Sequence, residues 1–289
     1  MGYGTWTTTS YNAALSSKGF TDTAAVRSAN VQEVYRSYEL DPMLNIKGKV
    51  RECADSDEHP ETLPIILALD VTGSMGDAAK ACAAQLDDIM SELYGKVKDV
   101  EFCMLGIGDM NYDDAPIQAT QFESDVRIFD QTTKIYFEGG GGGNRSESYT
   151  AAWWFGLHHA KLDCWKRGKK GIIITMGDEA LNPVLYGYQL RNFFGDTSED
   201  VDTNELYKEV CEKYDVYHIA ITNESCYYRY EELIKESFGK LLKQHLIIAT
   251  SDELPKVISD IVDDHVNNTF DNFITSDAGA TVTDDGIVW

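Results

Sequence analysis

Two apolar runs, each ending in an acid, constrain this chain more than any other feature. They are Pro64-Ile65-Ile66-Leu67-Ala68-Leu69-Asp70 and Gly171-Ile172-Ile173-Ile174-Thr175-Met176-Gly177-Asp178. Runs so rich in Ile and unbroken by charge read as strands covered on both faces, the habit of parallel sheets. Helical periodicity follows the first, with Ala79, Cys82, Leu86, Ile89, Met90 and Leu93 recurring through residues 77–94. The alternation then continues. Strands are expected at 100–107, 135–137, 216–221 and 246–249, and helices at 146–162, 183–194, 203–214, 228–238 and 254–266. The expected fold is α/β: a Rossmann-like three-layer sandwich whose mostly parallel central sheet has helices on both faces. Ligands of such sheets bind at the carboxyl ends of the strands, near the point where strand order reverses. Asp70 and Asp178 both fall there.

A length of 289 residues suits one such domain with additions. Residues 1–61 are polar, with a helix expected at 22–37 and an acidic loop at 51–60, and read as an N-terminal arm or cap. Residues 62–268 form the α/β domain. Residues 269–289 read as an extended tail or an added strand, since from 271 onward they carry four Asp and no Lys or Arg.

The net charge of −23 argues against a nucleic-acid surface, which needs clustered Lys and Arg. Most of the acidity reads as solubility. Six scattered cysteines form no C-x-x-C pair, which fits reduced, structural thiols in the cytoplasm rather than a zinc site. The first residues lack the pattern of a secretory signal, and Trp6 sets aside myristoylation at Gly2. No apolar run approaches the ~18 residues of a membrane span.

The chemistry concentrates in Asp70-Val71-Thr72-Gly73-Ser74. A tight loop after a strand lets Asp70, Thr72 and Ser74 converge on one point, and one carboxylate with two hydroxyls is hard-oxygen chemistry suited to Mg²⁺ or Mn²⁺. The competing reading is that Thr72 and Ser74 merely cap the next helix. At this point the chain, from about Pro64 to Val266, resembles the von Willebrand factor A family, and within it the intracellular bacterial and phage members. That family's metal-ion-dependent adhesion site is D-x-S/T-x-S, completed by a Thr or Asp from a second loop and an Asp from a third. Asp70, Thr72 and Ser74 match the first element, and Asp178, followed by Glu179, matches the third. In the second loop the chain has Glu138 and five glycines, then Asn144-Arg145-Ser146-Glu147-Ser148. This is similar to a G-G-G-D-x-P-E version, with Asn144 at the Asp position and Glu147 at the Glu; the direct ligand stays open among Asn144, Ser146 and Thr150.

The resemblance implies a non-enzymatic, intracellular interaction module, an adaptor or scaffold whose Mg²⁺ or Mn²⁺ accepts a carboxylate from a protein partner. By family analogy that partner is an ATPase or other assembly machine; no nucleic acid or membrane is implied. Two other readings compete. One is a Mg²⁺-dependent phosphatase or hydrolase, although haloacid dehalogenase-like enzymes want an Asp where Thr72 stands. The other is a structural part of a phage or bacterial assembly with a degenerate metal site.

The acidic segment after 100–107 should lie near the metal edge, with Asp109, Asp114 and Glu123 as supporting or partner-contacting residues. The glycine run could cradle phosphate, but no Gly-Lys-Ser/Thr follows; its expected role is to let backbone pass close to the ion. His158 and His159 point about 100° apart on a helix and cannot share one ion. Trp153 and Trp154 read as packing, and Tyr227 to Tyr230 as a helix start.

Overall fold

The computed structural model describes residues 4–140 and 142–267; the tail expected at 269–289 lies outside them. The strands β1 (Leu63–Asp70), β2 (Val100–Ile107), β3 (Ile117–Ala119), β4 (Gly171–Gly177), β5 (Tyr214–Ile221) and β6 (Leu246–Ala249) form one sheet of order β6-β5-β4-β1-β2-β3. All neighbours run parallel except β3, which lies antiparallel on β2. Both acid-terminated runs are buried along their whole strand, as continuous apolar sequence requires. Asp70 sits opposite Ile107, and Leu69 opposite Met176, so the carboxyl ends of β1, β2 and β4 are nearly flush. From β1 the chain builds outward through β2 and β3, then returns to add β4, β5 and β6 on the other side. The resulting crevice lies between the ends of β1 and β4.

Alternation along β1 divides the core into two layers. Ile65, Leu67 and Leu69 pack beneath helices that include α3 (Gly76–Ala84), α4 (Leu86–Tyr94) and α7 (Leu254–Asn267). Ile66 and Ala68 face the layer of α5 (Thr203–Val210) and α6 (Tyr227–Leu242). This is the expected three-layer sandwich.

The N-terminal segment is built into that sandwich. It contributes α1 (Thr8–Ser17) and α2 (Thr23–Ser28). Trp6, Tyr11, Val26 and Tyr35 are buried in the same core as Ile65 and Leu67. The Tyr11 hydroxyl donates to the Ala83 carbonyl at 2.9 Å and Tyr35 to that of Ala79 at 2.8 Å. The segment also closes a sheet edge: the Ala119 N–H donates to the Leu44 carbonyl at 3.0 Å, and Arg51 donates to the Ala119 carbonyl at 2.9 Å.

Several elements differ from the periodicity reading. The helix expected at 22–37 is α2 plus Val31–Val34, because Asn30 restarts the chain with its N–H on Glu33 Oε2 at 2.9 Å. No helix was expected at α1, which Thr7 caps through its hydroxyl. Residues 77–94 divide at Gln85, whose side-chain amide donates to the Asp252 carbonyl. Residues 146–162 form a short strand (Ser146–Glu147), a helix (Thr150–Trp154), a wide helical turn (Phe155–His159) and a second short strand (Ala160–Leu162). Distant partners impose those breaks: Ser146–Glu147 pairs with Ala180–Leu181, and Ala160–Leu162 with Arg51–Cys53. In 183–194, Val184–Leu185 is a strand paired with Val201–Asp202, before the helical turns from Gly187 to Phe194. Within 135–137 only Tyr136 makes a bridge, to Ser37.

His159 is held between the Lys49 carbonyl and Asp196, while His158 lies against the Trp154 ring. All six cysteines are free thiols. Among the described residues, no helix is long and apolar enough to cross a membrane.

Candidate metal centre

Asp70 ends β1 with its side chain fully buried. Its Oδ1 accepts from the Thr72 backbone N–H at 2.8 Å and from the Thr72 hydroxyl at 2.6 Å. The loop then turns through Gly73–Met75 into α3. Gly73 is forced here, since a Cβ would lie 2.8 Å from the Gly139 carbonyl oxygen of the second loop. Its N–H donates to the Gly140 carbonyl at 3.0 Å, fixing the two loops together. The half-buried Ser74 donates its hydroxyl to Asp178 Oδ1 at 2.8 Å, and the Cys226 N–H donates to Asp178 Oδ2 at 2.8 Å. Asp70, Thr72, Ser74 and Asp178 are therefore brought together across the crevice between β1 and β4.

The second loop behaves differently. Asn144 is exposed on the turn at 142–145 and makes no hydrogen bond with the other four among the described residues. Thr150 is turned to Asn182, whose side-chain amide donates to its hydroxyl at 2.6 Å. Ser146 is half-buried and paired with Ala180. The acid this loop delivers is Glu147, only 1% exposed, because Ser146–Glu147 is stitched to Ala180–Leu181 just beyond Asp178.

Asp109, fully buried, holds its own loop through Oδ1, which accepts from the Asn111 N–H at 2.8 Å. The neighbour that turns inward is Asp113, whose Oδ2 accepts from the Asp109 N–H at 2.8 Å, not Asp114, which is exposed. Glu138 ties this loop to the glycine run by accepting from the Asp114 and Ala115 N–H groups. Glu123 lies at the other end of β2, bridged to Phe102 and paired with Arg127 and Gln131. The antiparallel return of β3 carries it away from the carboxyl edge.

The electrostatics of the edge are strained. Burial first, and Asp178 second, push the Asp70 carboxyl up to about 7. Glu147 is pushed up to about 11 by burial, then by Asp70, Asp109, Glu179 and Asp113 in turn. Asp178 is raised by burial, and Glu179 by burial and then by Asp178. Among the described residues, Asp109 Oδ2, Glu147 Oε2 and Glu179 Oε2 are buried oxygens with no hydrogen-bond partner. Buried carboxylates cost free energy unless paired or bound to a cation, so this arrangement fits a positive ion. The donors are mixed, with carboxylates beside the Thr72 and Ser74 hydroxyls, as hard divalent ions accept. Among the described residues, no group of three or more His, Cys, Asp or Glu side chains is placed to hold a metal ion.

Tyr149 did not stand out in the sequence. Its buried hydroxyl donates to Asp70 Oδ2 at 2.8 Å, and its ring packs on His218 and Phe238. Gly177 makes room for it, since a Cβ there would sit 1.8 Å from the Tyr149 hydroxyl oxygen. A glycine directly before a strand-end Asp was the available signal. Gly177→Ala is expected to lose about 1–3 kcal/mol of stability in urea unfolding through overpacking, and to break the Tyr149–Asp70 bond.

No family model and no curated protein matches the sequence. Among solved structures, the chain is similar to the pilus adhesin SpaC of Lactobacillus rhamnosus GG in its open conformation, at 13% identity and a TM-score of 0.48 over 77% of this chain and 31% of that one. It is also similar to proximal thread matrix protein 1 of the mussel byssus, at 12% identity and 0.47 over 71% and 48%. The chain thus spans less than half of either protein, and likeness this loose carries no functional weight.

Proposed function

We propose that this protein is a metal-dependent interaction module of the von Willebrand factor A kind. Asp70, Thr72, Ser74 and Asp178 would hold Mg²⁺ or Mn²⁺, with Glu147 rather than Asn144 as the acid of the second loop. The observation that carries this reading is the set of buried, mutually repelling carboxylates at the carboxyl edge of the sheet, three of them with an oxygen left unpaired among the described residues. A bound divalent ion supplies the missing positive charge and an open coordination position. Mg²⁺ takes about six oxygens, more than the four residues offer one apiece, so water or an Asp or Glu from a protein partner completes the set.

Against the hydrolase alternative stands Thr72, at the position where a haloacid dehalogenase-like enzyme would have an Asp. Titration calorimetry tests the metal reading. Saturable heat is expected with Mg²⁺ or Mn²⁺ for the wild type, weakened by Thr72→Ala and absent in Asp70→Ala. A wild-type chain that gives no heat at millimolar ion has no such site.

A further inference from the structure

The metal reading leaves the kind of partner open, and the rim of the site narrows it. Tyr112, Tyr186, Tyr188 and Tyr228 stand exposed, and each belongs to a loop or helix start that follows β2, β4 or β5. The first three are held as one surface. The Tyr188 hydroxyl donates to Asn111 Oδ1 at 2.8 Å, and the Gln189 amide shares that acceptor, so the loops after β2 and β4 are clamped beside Asp109. The Tyr186 and Tyr188 rings stack at 5.7 Å. The Tyr112 ring lies against Gly142, since a Cβ there would be 1.9 Å from it. Tyr228 follows Cys226, whose N–H holds Asp178.

Tyrosines fixed in this way expose ring faces at little further cost in entropy, as docking surfaces do. Their surroundings are acidic: the Tyr188 hydroxyl is raised by burial, then by Tyr186, Asp109 and Asp200. Asp114 follows Tyr112 by two residues in the same loop, and its N–H donates to Glu138. Among the described residues, exposed Arg145, Arg191 and Arg229 bring opposing charge to the loops at this edge, with Arg229 acting on Glu179. Exposed ring faces among carboxylates attract ammonium and guanidinium groups.

We infer that the tyrosine rim docks a segment of a partner protein in which one Asp or Glu is flanked by Lys or Arg. The inference rests on the metal reading, since the central acid is the group the ion would take. A partner acidic throughout would be repelled by the rim.

Short synthetic peptides with a central Asp flanked by Lys, by Ser or by Glu, and a Lys-flanked Asn control, test it by fluorescence anisotropy in Mg²⁺. The Lys-flanked Asp peptide is expected to bind about tenfold or more tighter than the Glu-flanked one. The Tyr112→Ala/Tyr188→Ala double variant should lose that preference while keeping the calorimetric Mg²⁺ heat, and Tyr112→Phe, which keeps the ring and leaves the Tyr188–Asn111 bond in place, should retain it. Equal binding of the Asp and Asn peptides, or an unchanged preference in the double Ala variant, overturns the inference while leaving the metal site standing. Absence of Mg²⁺ heat in the wild type removes both.

Discussion

Saturating magnesium is expected to raise the melting temperature of the wild-type chain by about 5–10 °C and to leave Asp70→Ala unmoved. A ligand at about a hundred times its dissociation constant stabilises the folded state by about 2.7 kcal/mol. In a domain of this size each kcal/mol moves the midpoint by about 2–4 °C. Asp70 is the residue on which the effect should turn. It is buried at the centre of the crevice, and its Oδ1 orders the Thr72 hydroxyl that the ion would share. Removing it takes away a ligand and the bond that positions another. The fold itself should survive, because Asp70 ends β1 and the preceding residues from Leu63 to Leu69 supply the strand's packing. Differential scanning calorimetry in magnesium and in chelator measures both parts. An equal rise in wild type and variant would place the ion elsewhere.

Glu147→Gln is expected to stabilise the metal-free protein at pH 7, by on the order of 3 kcal/mol. Glu147 has a buried unpaired oxygen and a carboxyl pushed up to about 11, so without an ion it folds protonated. Keeping that proton at pH 7, against an ordinary value of 4.5, is the cost that glutamine removes. The sign of the pH dependence follows. A carboxyl whose folded value is raised holds its proton in the folded chain after the unfolded chain has lost it, so stability falls as pH rises between the two values. For Asp70 the window runs from 3.8 to about 7, and for Glu147 from 4.5 to about 11. Metal-free protein should therefore melt at lower temperature at pH 8 than at pH 5. Glu101 and Glu224, each pushed up to about 7 chiefly by burial, add the same sign, so the variant should show a shallower slope rather than none. The substitution should also shrink the magnesium shift, since it removes a negative charge from the ion's surroundings. A less stable metal-free variant would show that Glu147 makes a favourable contact in its charged form.

The legible part of this fold was the part written in consecutive residues. β1 and β4 could be read because both faces of each strand are covered, so nothing polar interrupts them until the acids at their ends. Asp70, Thr72 and Ser74 lie within five residues, and Asp178 carried the same strand-end signature. The second loop was harder, because its placement depends on a pairing with Ala180–Leu181 that no local pattern announces. That pairing seats Glu147 inward and leaves Asn144 in solvent. β3 was missed for a related reason: three residues at the end of an acidic loop become a strand only because β2 offers an edge. Tyr149 carried no signal of its own in the sequence, because the role of its hydroxyl depends on Asp70, 79 residues away in the chain.

The covered edge of β3 bears on how the sandwich can be handled as a separate piece. The Ala119 N–H is taken by Leu44, and its carbonyl by Arg51. A chain trimmed to begin near residue 62 would keep every strand of the central sheet. It would also present a strand with open backbone donors and acceptors, next to the apolar surface vacated by Trp6, Tyr11 and Tyr35. Such an edge is a template for adding strands from other copies. Trimming is expected to leave a shortened chain that aggregates, with turbidity that grows with concentration, so the first sixty residues would serve the sandwich as a guard against its own copies.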